Sequence, residues 1–157
     1  MIARLALKNC GLFARLSDGE LDKVASSAVE RQFEAGSLIF AEGDDADEML
    51  ILQEGRVAIQ MSLPRLEGRT SRRITVDIAA TNDVIGWSSI VEPYEYSFAA
   101  VCVQRAVALC IAASSLRSLL RENPRIGYEV LKGLTRVIAA RLNDTRQVLI
   151  SERTLTS

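Results

Sequence analysis

From about Val29 to Ile111 the chain breaks into short apolar runs separated by turn residues, and this pattern restricts the fold more than any other feature. The runs are Leu38–Phe40, Met49–Leu52, Val57–Met61, Ile74–Ile78, Val84–Ile85, Phe98–Val103 and Ala106–Ile111. Between them lie Ala35-Gly36, Glu42-Gly43-Asp44-Asp45, Glu54-Gly55 and Glu67-Gly68. Runs this short suit strands, not helices, and Gly supplies the positive φ that tight reversals need. Ile74, Val76 and Ile78 alternate with polar neighbours, as in a strand with one buried face. Many short strands with frequent turns predict an antiparallel sandwich or a jelly-roll barrel.

Helices flank this region. Residues 1–30 read as helical. Ser17-Asp18-Gly19-Glu20 fits a capping box, and Leu16 and Leu21 sit where a hydrophobic staple closes. Leu21, Val24, Ala25 and Ala28 follow at helical spacing. After the strands, Ser114 or Ser115 is placed to cap a short helix carrying Leu116, Leu119 and Leu120. Asn123-Pro124 then reads as a cap followed by Pro at the first helical position. The helix it opens extends to about Ser151. Its apolar positions, among them Ile126, Val130, Leu134, Ile138, Leu142 and Leu149, cover more than one narrow stripe. A barrel of this size does not cover such a helix along its length, so part of it is expected to pack on a partner helix. Gly127 and Gly133 each weaken an isolated helix by about 1 kcal/mol relative to Ala, which close backbone approach would justify.

Composition removes whole classes of chemistry. Among the 157 residues there is no His. A Ser-His-Asp triad, a Cys-His dyad, a His-bearing zinc site and a haem with an axial His are all excluded. Cys10, Cys102 and Cys110 form no CxxC pair. Cys102 and Cys110 lie in apolar strands as small buried hydrophobes, whereas Cys10 is open to exposure. Formal net charge is −1, so there is no general attraction to nucleic acid or anionic membrane. No run approaches the roughly 18 apolar residues of a membrane span, and the N-terminus does not resemble a signal peptide. Cytoplasm is the expected compartment.

The segment Asn82 to Val101 reads as strand, Gly turn, one short helical turn at Trp87-Ser88-Ser89, a loop with Pro93, and strand again. A helical turn that opens just after Gly86 offers unpaired N–H groups to an anion. This stretch resembles the phosphate-binding cassette of the cyclic-nucleotide-binding domains in the Crp/Fnr regulator family. Other strings support the likeness: Gly11-Leu12-Phe13-Ala14-Arg15-Leu16-Ser17, Phe33 through Asp44, Met49 through Val57, and Asn123 through Leu142. They occur in family order and span nearly the whole chain.

The resemblance implies a mainly β fold with flanking helices: a double-stranded β-helix (jelly-roll-like) barrel with N-terminal helices and a long C-terminal dimerisation helix. It implies one cyclic-nucleotide-binding-like domain over 1–157, with N-terminal helices at 1–30, a β-roll at 31–112 and C-terminal helices at 114–151. Family members that bind cyclic nucleotides carry a Glu after the cassette Gly and an Arg near the cassette end. Here Trp87 follows Gly86, and the Arg position falls on Tyr96 or Ser97. No Arg or Lys lies between Trp87 and Ser97; the next is Arg105, on the following strand. A hydrogen bond to a charged group contributes about 1.5–3 kcal/mol. Its loss weakens binding about tenfold to a hundredfold. Thr145 stands where the family places a hydroxyl near the purine.

The candidate ligand-binding set is therefore Gly86, Trp87, Ser88, Ser89, Tyr96, Ser97 and Thr145, with a nucleotide or other small anion as ligand and no catalytic or metal-binding residue. A lone Trp more often fills volume than stacks on a ligand. Asp44, Asp45, Asp47 and Glu48 read as a solvated acidic turn, and Arg65, Arg69, Arg72 and Arg73 as a solvated hairpin tip. Cys10 alone cannot build the iron–sulfur cluster of some relatives. Residues after about Ser151 are too few for a helix-turn-helix, so direct DNA contact by that route is not expected. The expected role is a non-enzymatic, homodimeric sensor. The alternatives are an interaction protein with a degenerate pocket, or the sensor part of a transcription regulator.

Overall fold

The computed structural model describes residues 2–63 and 72–156. Arg65, Arg69 and Gly68, read as part of a hairpin tip, lie outside the described residues. Two helices come first, α1 (Ile2–Asn9) and α2 (Asp18–Ala25). Eight strands follow: β1 (Ala28–Phe33), β2 (Leu38–Phe40), β3 (Glu48–Glu54), β4 (Val57–Ser62), β5 (Arg73–Ala79), β6 (Val84–Ile85), β7 (Ala99–Cys102) and β8 (Ala106–Ala112). A 3₁₀ turn at Trp87–Ile90 separates β6 from β7. The chain ends in α3 (Ala113–Glu122) and α4 (Pro124–Thr156).

The strands form two antiparallel four-stranded sheets, ordered β1-β8-β3-β6 and β2-β7-β4-β5. This is the jelly-roll-like barrel with helical flanks that the pattern predicted. The two faces of the first sheet explain why its strands read as continuous apolar runs. Leu50 and Leu52 of β3 enter the barrel interior with Cys110 of β8 and Val57 of β4. Met49 and Ile51, one residue out of phase, pack with Leu109 and Ile111 under the helices. The helices contribute Leu7, Phe13, Leu21, Leu116, Ile126 and Val130 to that second cluster. A strand buried on both faces carries no alternation to read.

Several expectations change. Residues 28–30 are not helical; they open β1, which pairs with β8 from Ala28↔Ile111 to Phe33↔Ala106. Glu30, Arg31 and Gln32 are exposed, so the strand shows no apolar signal. Neither Ser114 nor Ser115 caps α3. Ala112 takes the cap position without a side-chain bond, and the Ala113 N–H donates to Asp47 O instead. Asn123-Pro124 does open α4, with Pro124 as its first residue and Asn123 O accepting from Gly127 N–H at 2.9 Å, but the Asn123 amide donates back to Leu119 O at 3.1 Å and does not cap the new helix. Cys10 is buried like the other two thiols. Ile74, Val76 and Ile78 remain 40%, 49% and 45% exposed, so the alternating strand lacks a covered face.

Other expectations hold. The Ser17 hydroxyl accepts from Glu20 N at 3.2 Å and Glu20 Oε1 accepts from Ser17 N at 2.9 Å, which completes the capping box. At Gly127 an added Cβ would lie 2.6 Å from Leu120 O, and at Gly133 2.8 Å from Leu12 O. Both glycines let α4 approach backbone closely. α4 has 33 residues and runs for about 50 Å at 1.5 Å per residue. Its first half buries Ile126, Val130 and Leu134 against the body, and beyond Val137 it is largely exposed.

Candidate functional site

Gly86 turns the chain out of β6 with φ +82°. A Cβ there would stand 3.0 Å from Tyr96 Cε1 and 3.2 Å from Glu48 O. Both backbone conformation and crowding therefore require Gly. The following 3₁₀ turn is a single short one. Ser89 N–H donates to Gly86 O at 3.1 Å and Val91 N–H to Ser88 O at 3.2 Å. The N–H groups of Trp87 and Ser88 precede the first bond of the turn and have no partner within it.

Ser88 and Ser89 are buried, and the Ser89 hydroxyl has no hydrogen-bond partner among the described residues. Tyr96 is buried and stacks on Phe40, ring centroids 3.6 Å apart at 10°. Its hydroxyl donates to Glu48 O at 2.6 Å and accepts from Glu48 N–H at 3.1 Å. Burial pushes the phenol above its ordinary range. Tyr96 thus anchors the cassette to β3. Ser97 is exposed next to it. Trp87 is half-buried, edge-on to Phe98 at 6.3 Å. Thr145 lies on the exposed part of α4, where its hydroxyl donates to Arg141 O at 2.9 Å. The fold brings Gly86, Trp87, Ser88, Ser89 and Tyr96 together, and Thr145 bonds back to its own helix.

Two cations absent from the sequence-derived set reach the cassette from the C-terminal helices. Arg117 of α3 donates from Nε to Ser89 O at 2.7 Å and from Nη2 to Ala46 O at 3.2 Å. Its guanidinium lies 3.9 Å over the Tyr94 ring. Arg141 of α4 lies over the Trp87 ring at 5.6 Å and forms an ion pair with Asp77 of β5. Arg105 bonds Gln32 at the far end of the barrel. The signal for Arg141 was its place one helical turn ahead of Thr145; nothing in the sequence singles out Arg117.

Two cavities border the region. One, of about 350 Å³, is lined by Phe40, Tyr96 and the carboxylates of Asp44, Asp45, Asp47 and Glu48. Its walls repel an anion, and the described residues hold no group of three or more side chains arranged to bind a metal ion. The other, of about 310 Å³, lies between the barrel and α4; Asp77, Asp83, Val84, Val137, Arg141 and Asp144 are among its walls. No helix among the described residues is long and apolar enough to cross a membrane.

The profile of the cyclic nucleotide-binding domain family matches residues 30–123. A CRP-like cAMP-activated global transcriptional regulator of Mycobacterium tuberculosis is 27% identical over 143 residues, covering 91% of this chain. The chain spans 60% of that regulator's length. A solved structure from Geobacter metallireducens, described as a cyclic nucleotide-binding protein, superposes with a TM-score of 0.76 at 27% identity. It covers 90% of this chain and 99% of its own. A cyclic nucleotide-binding domain from Methylobacillus flagellatus shares the fold, with a TM-score of 0.79 at 19% identity over 96% of this chain and 82% of its own.

Proposed function

The chain belongs to the cyclic nucleotide-binding domain family, with Crp-type regulators among its relatives. On that premise we propose that it is a non-catalytic sensor, homodimeric through α4, whose cassette no longer follows the cyclic-AMP pattern. One observation carries this: the cassette keeps its Gly86 turn while the positions where the family carries Glu and Arg hold Trp87 and either Tyr96 or Ser97. Trp87 follows the glycine, and Tyr96 directs its hydroxyl to the Glu48 main chain. The ligand is a small anion with a planar ring, or a compound close to it. Occupancy changes how α4 packs on the barrel, which requires different affinity for two states.

Dimerisation is supported by α4 itself. Tyr128, Leu131, Ile138, Leu142 and Leu149 are exposed apolar residues at spacings of three, four and seven. Thr135 and Thr145 complete the same heptad frame. Such a stripe suits a two-stranded seam between copies. The proposed unit is one domain over 1–157 in the cytoplasm.

A thermal-shift panel of cyclic mononucleotides, cyclic dinucleotides and ring-bearing carboxylates tests the sensor role. Any ligand that binds only the native state must raise the midpoint. A second possibility, a degenerate module whose output is dimerisation alone, is favoured by the burial of Ser88 and Ser89 away from both cavities. A panel without a single shift would select it. The longer regulator relative leaves a third role, as the sensing portion of a transcription factor.

A further inference from the structure

We propose that Arg141 supplies the cation the cassette lacks, and that Asp77 holds it in reserve until a ligand displaces the carboxylate. This rests on the sensor function proposed above and names its anion-binding group. Between Trp87 and Ser97 the chain has no Arg or Lys, so any positive charge must come from another element. Three arginines outside the cassette come into question: Arg105, Arg117 and Arg141. Arg117 is committed to two main-chain carbonyls and to the face of Tyr94. Arg105 is tied to Gln32, across the β-roll. Arg141 is different: it lies over Trp87, borders the 310 Å³ cavity, and has a carboxylate for a partner.

That partner is exchangeable. The Arg141 and Asp77 side chains are 24% and 46% exposed, and ion pairs in this range hold only weakly. A phosphodiester or carboxylate entering the cavity offers the guanidinium an equivalent acceptor, and one it can meet with two parallel N–H groups where Asp77 takes a single one. Trp87 lies under that guanidinium and not among the cavity walls, and it offers a planar face to the ring of a guest held there. The other charged wall residues restrict the guest. Asp83 accepts from Ala80 N–H at 2.9 Å and Asp144 sits on α4 beside Arg141. One guanidinium among three carboxylates leaves the walls net negative, so a single negative charge on the guest is held weakly and a second is disfavoured further. The ligand class is therefore a ring-bearing monoanion, selected against dianions. Because Arg141 belongs to α4 and Asp77 to β5, the exchange breaks one ion pair between helix and barrel as the ligand binds, while Ile126, Val130 and Leu134 keep the first half of α4 in place.

Trp87 is the single Trp of the chain and lies under Arg141, so its emission reports the event directly. The probes are cyclic AMP as a monoanion, 5′-AMP as a dianion and adenosine as the neutral control, each titrated to about 10 mM to reach a weak site. Wild type, Arg141→Gln and Asp77→Asn are compared, with circular dichroism confirming that each variant is folded. Wild type should prefer cyclic AMP to both other probes. Asp77→Asn, by removing the internal competitor, should tighten cyclic AMP about threefold to tenfold. Arg141→Gln should bind cyclic AMP no better than adenosine. If Arg141→Gln keeps the wild-type preference, or Asp77→Asn gains nothing, the assignment of Arg141 is overturned and the sensor function stands. If no variant responds to any probe while the thermal-shift panel finds another ligand, again only Arg141 is overturned. Silence in both experiments removes both proposals.

Discussion

Tyr96 closes on both main-chain atoms of Glu48, its hydroxyl donating to the carbonyl at 2.6 Å and accepting from the N–H at 3.1 Å. One of the two positions on which the family resemblance puts a phosphate-binding cation, Tyr96 or Ser97, is thus part of the barrel wall. Removing that hydroxyl leaves two main-chain groups in need of partners. Tyr96→Phe keeps the stack on Phe40 and should cost about 1–3 kcal/mol. Urea denaturation checks this, with the m-value unchanged.

Gly133 sets two effects of opposite sign against each other. Ala is the better helix former by about 1 kcal/mol. Its Cβ, however, would come within 2.8 Å of Leu12 O and 3.0 Å of Gly11 O, both backbone atoms with little room to retreat. Overpacking of this kind costs about 1–3 kcal/mol, so Gly133→Ala should destabilise on balance. A thermal midpoint above wild type would show that the α1–α2 loop yields.

Cys10 gives the protein a dependence on alkaline pH. Burial raises its thiol from 9.0 to about 11. The unfolded chain therefore loses this proton near pH 9 while the folded chain keeps it. Stability contributed by the neutral thiol is complete below pH 9 and falls as pH rises toward 11, by about 1.4 kcal/mol per unit. Denaturation midpoints of wild type and Cys10→Ala, measured from pH 8 to pH 10.5, should converge as pH rises. Parallel profiles would contradict the buried-thiol assignment.

Leu142 is half-exposed on α4, within the heptad frame and past the buried Ile126, Val130 and Leu134. Leu142→Lys should abolish self-association in sedimentation equilibrium and leave the monomer folded. A wild-type chain that sediments as a monomer at about 100 µM would remove the proposed seam, since stable homodimers form well below that concentration.

How much of this was legible in the sequence varied from element to element. The turns at Gly36, Gly43 and Gly55 have positive φ as expected, and the strands between them follow the apolar runs closely. β1 was hidden because Glu30, Arg31 and Gln32 face solvent, while β8 supplies the apolar half of the pair. The start of α3 was misplaced because β8 runs directly into it, and Asp47 of a distant loop does the work of a capping side chain. At the site, the Gly86 turn was readable because a positive φ leaves its mark on one residue. Arg117 was not, and Arg141 was marked only by its place one turn ahead of Thr145, since each reaches the cassette through the rotation of a helix against the barrel. Local sequence contains nothing that fixes this rotation.

Isothermal titration calorimetry with cyclic AMP tests most directly whether the pocket has a weak, borrowed cation. With Trp87 in place of an acidic residue and no guanidinium from the cassette itself, no saturable binding is expected below about 100 µM. A dissociation constant of about 1 µM or tighter, equivalent to roughly −8 kcal/mol, would contradict it.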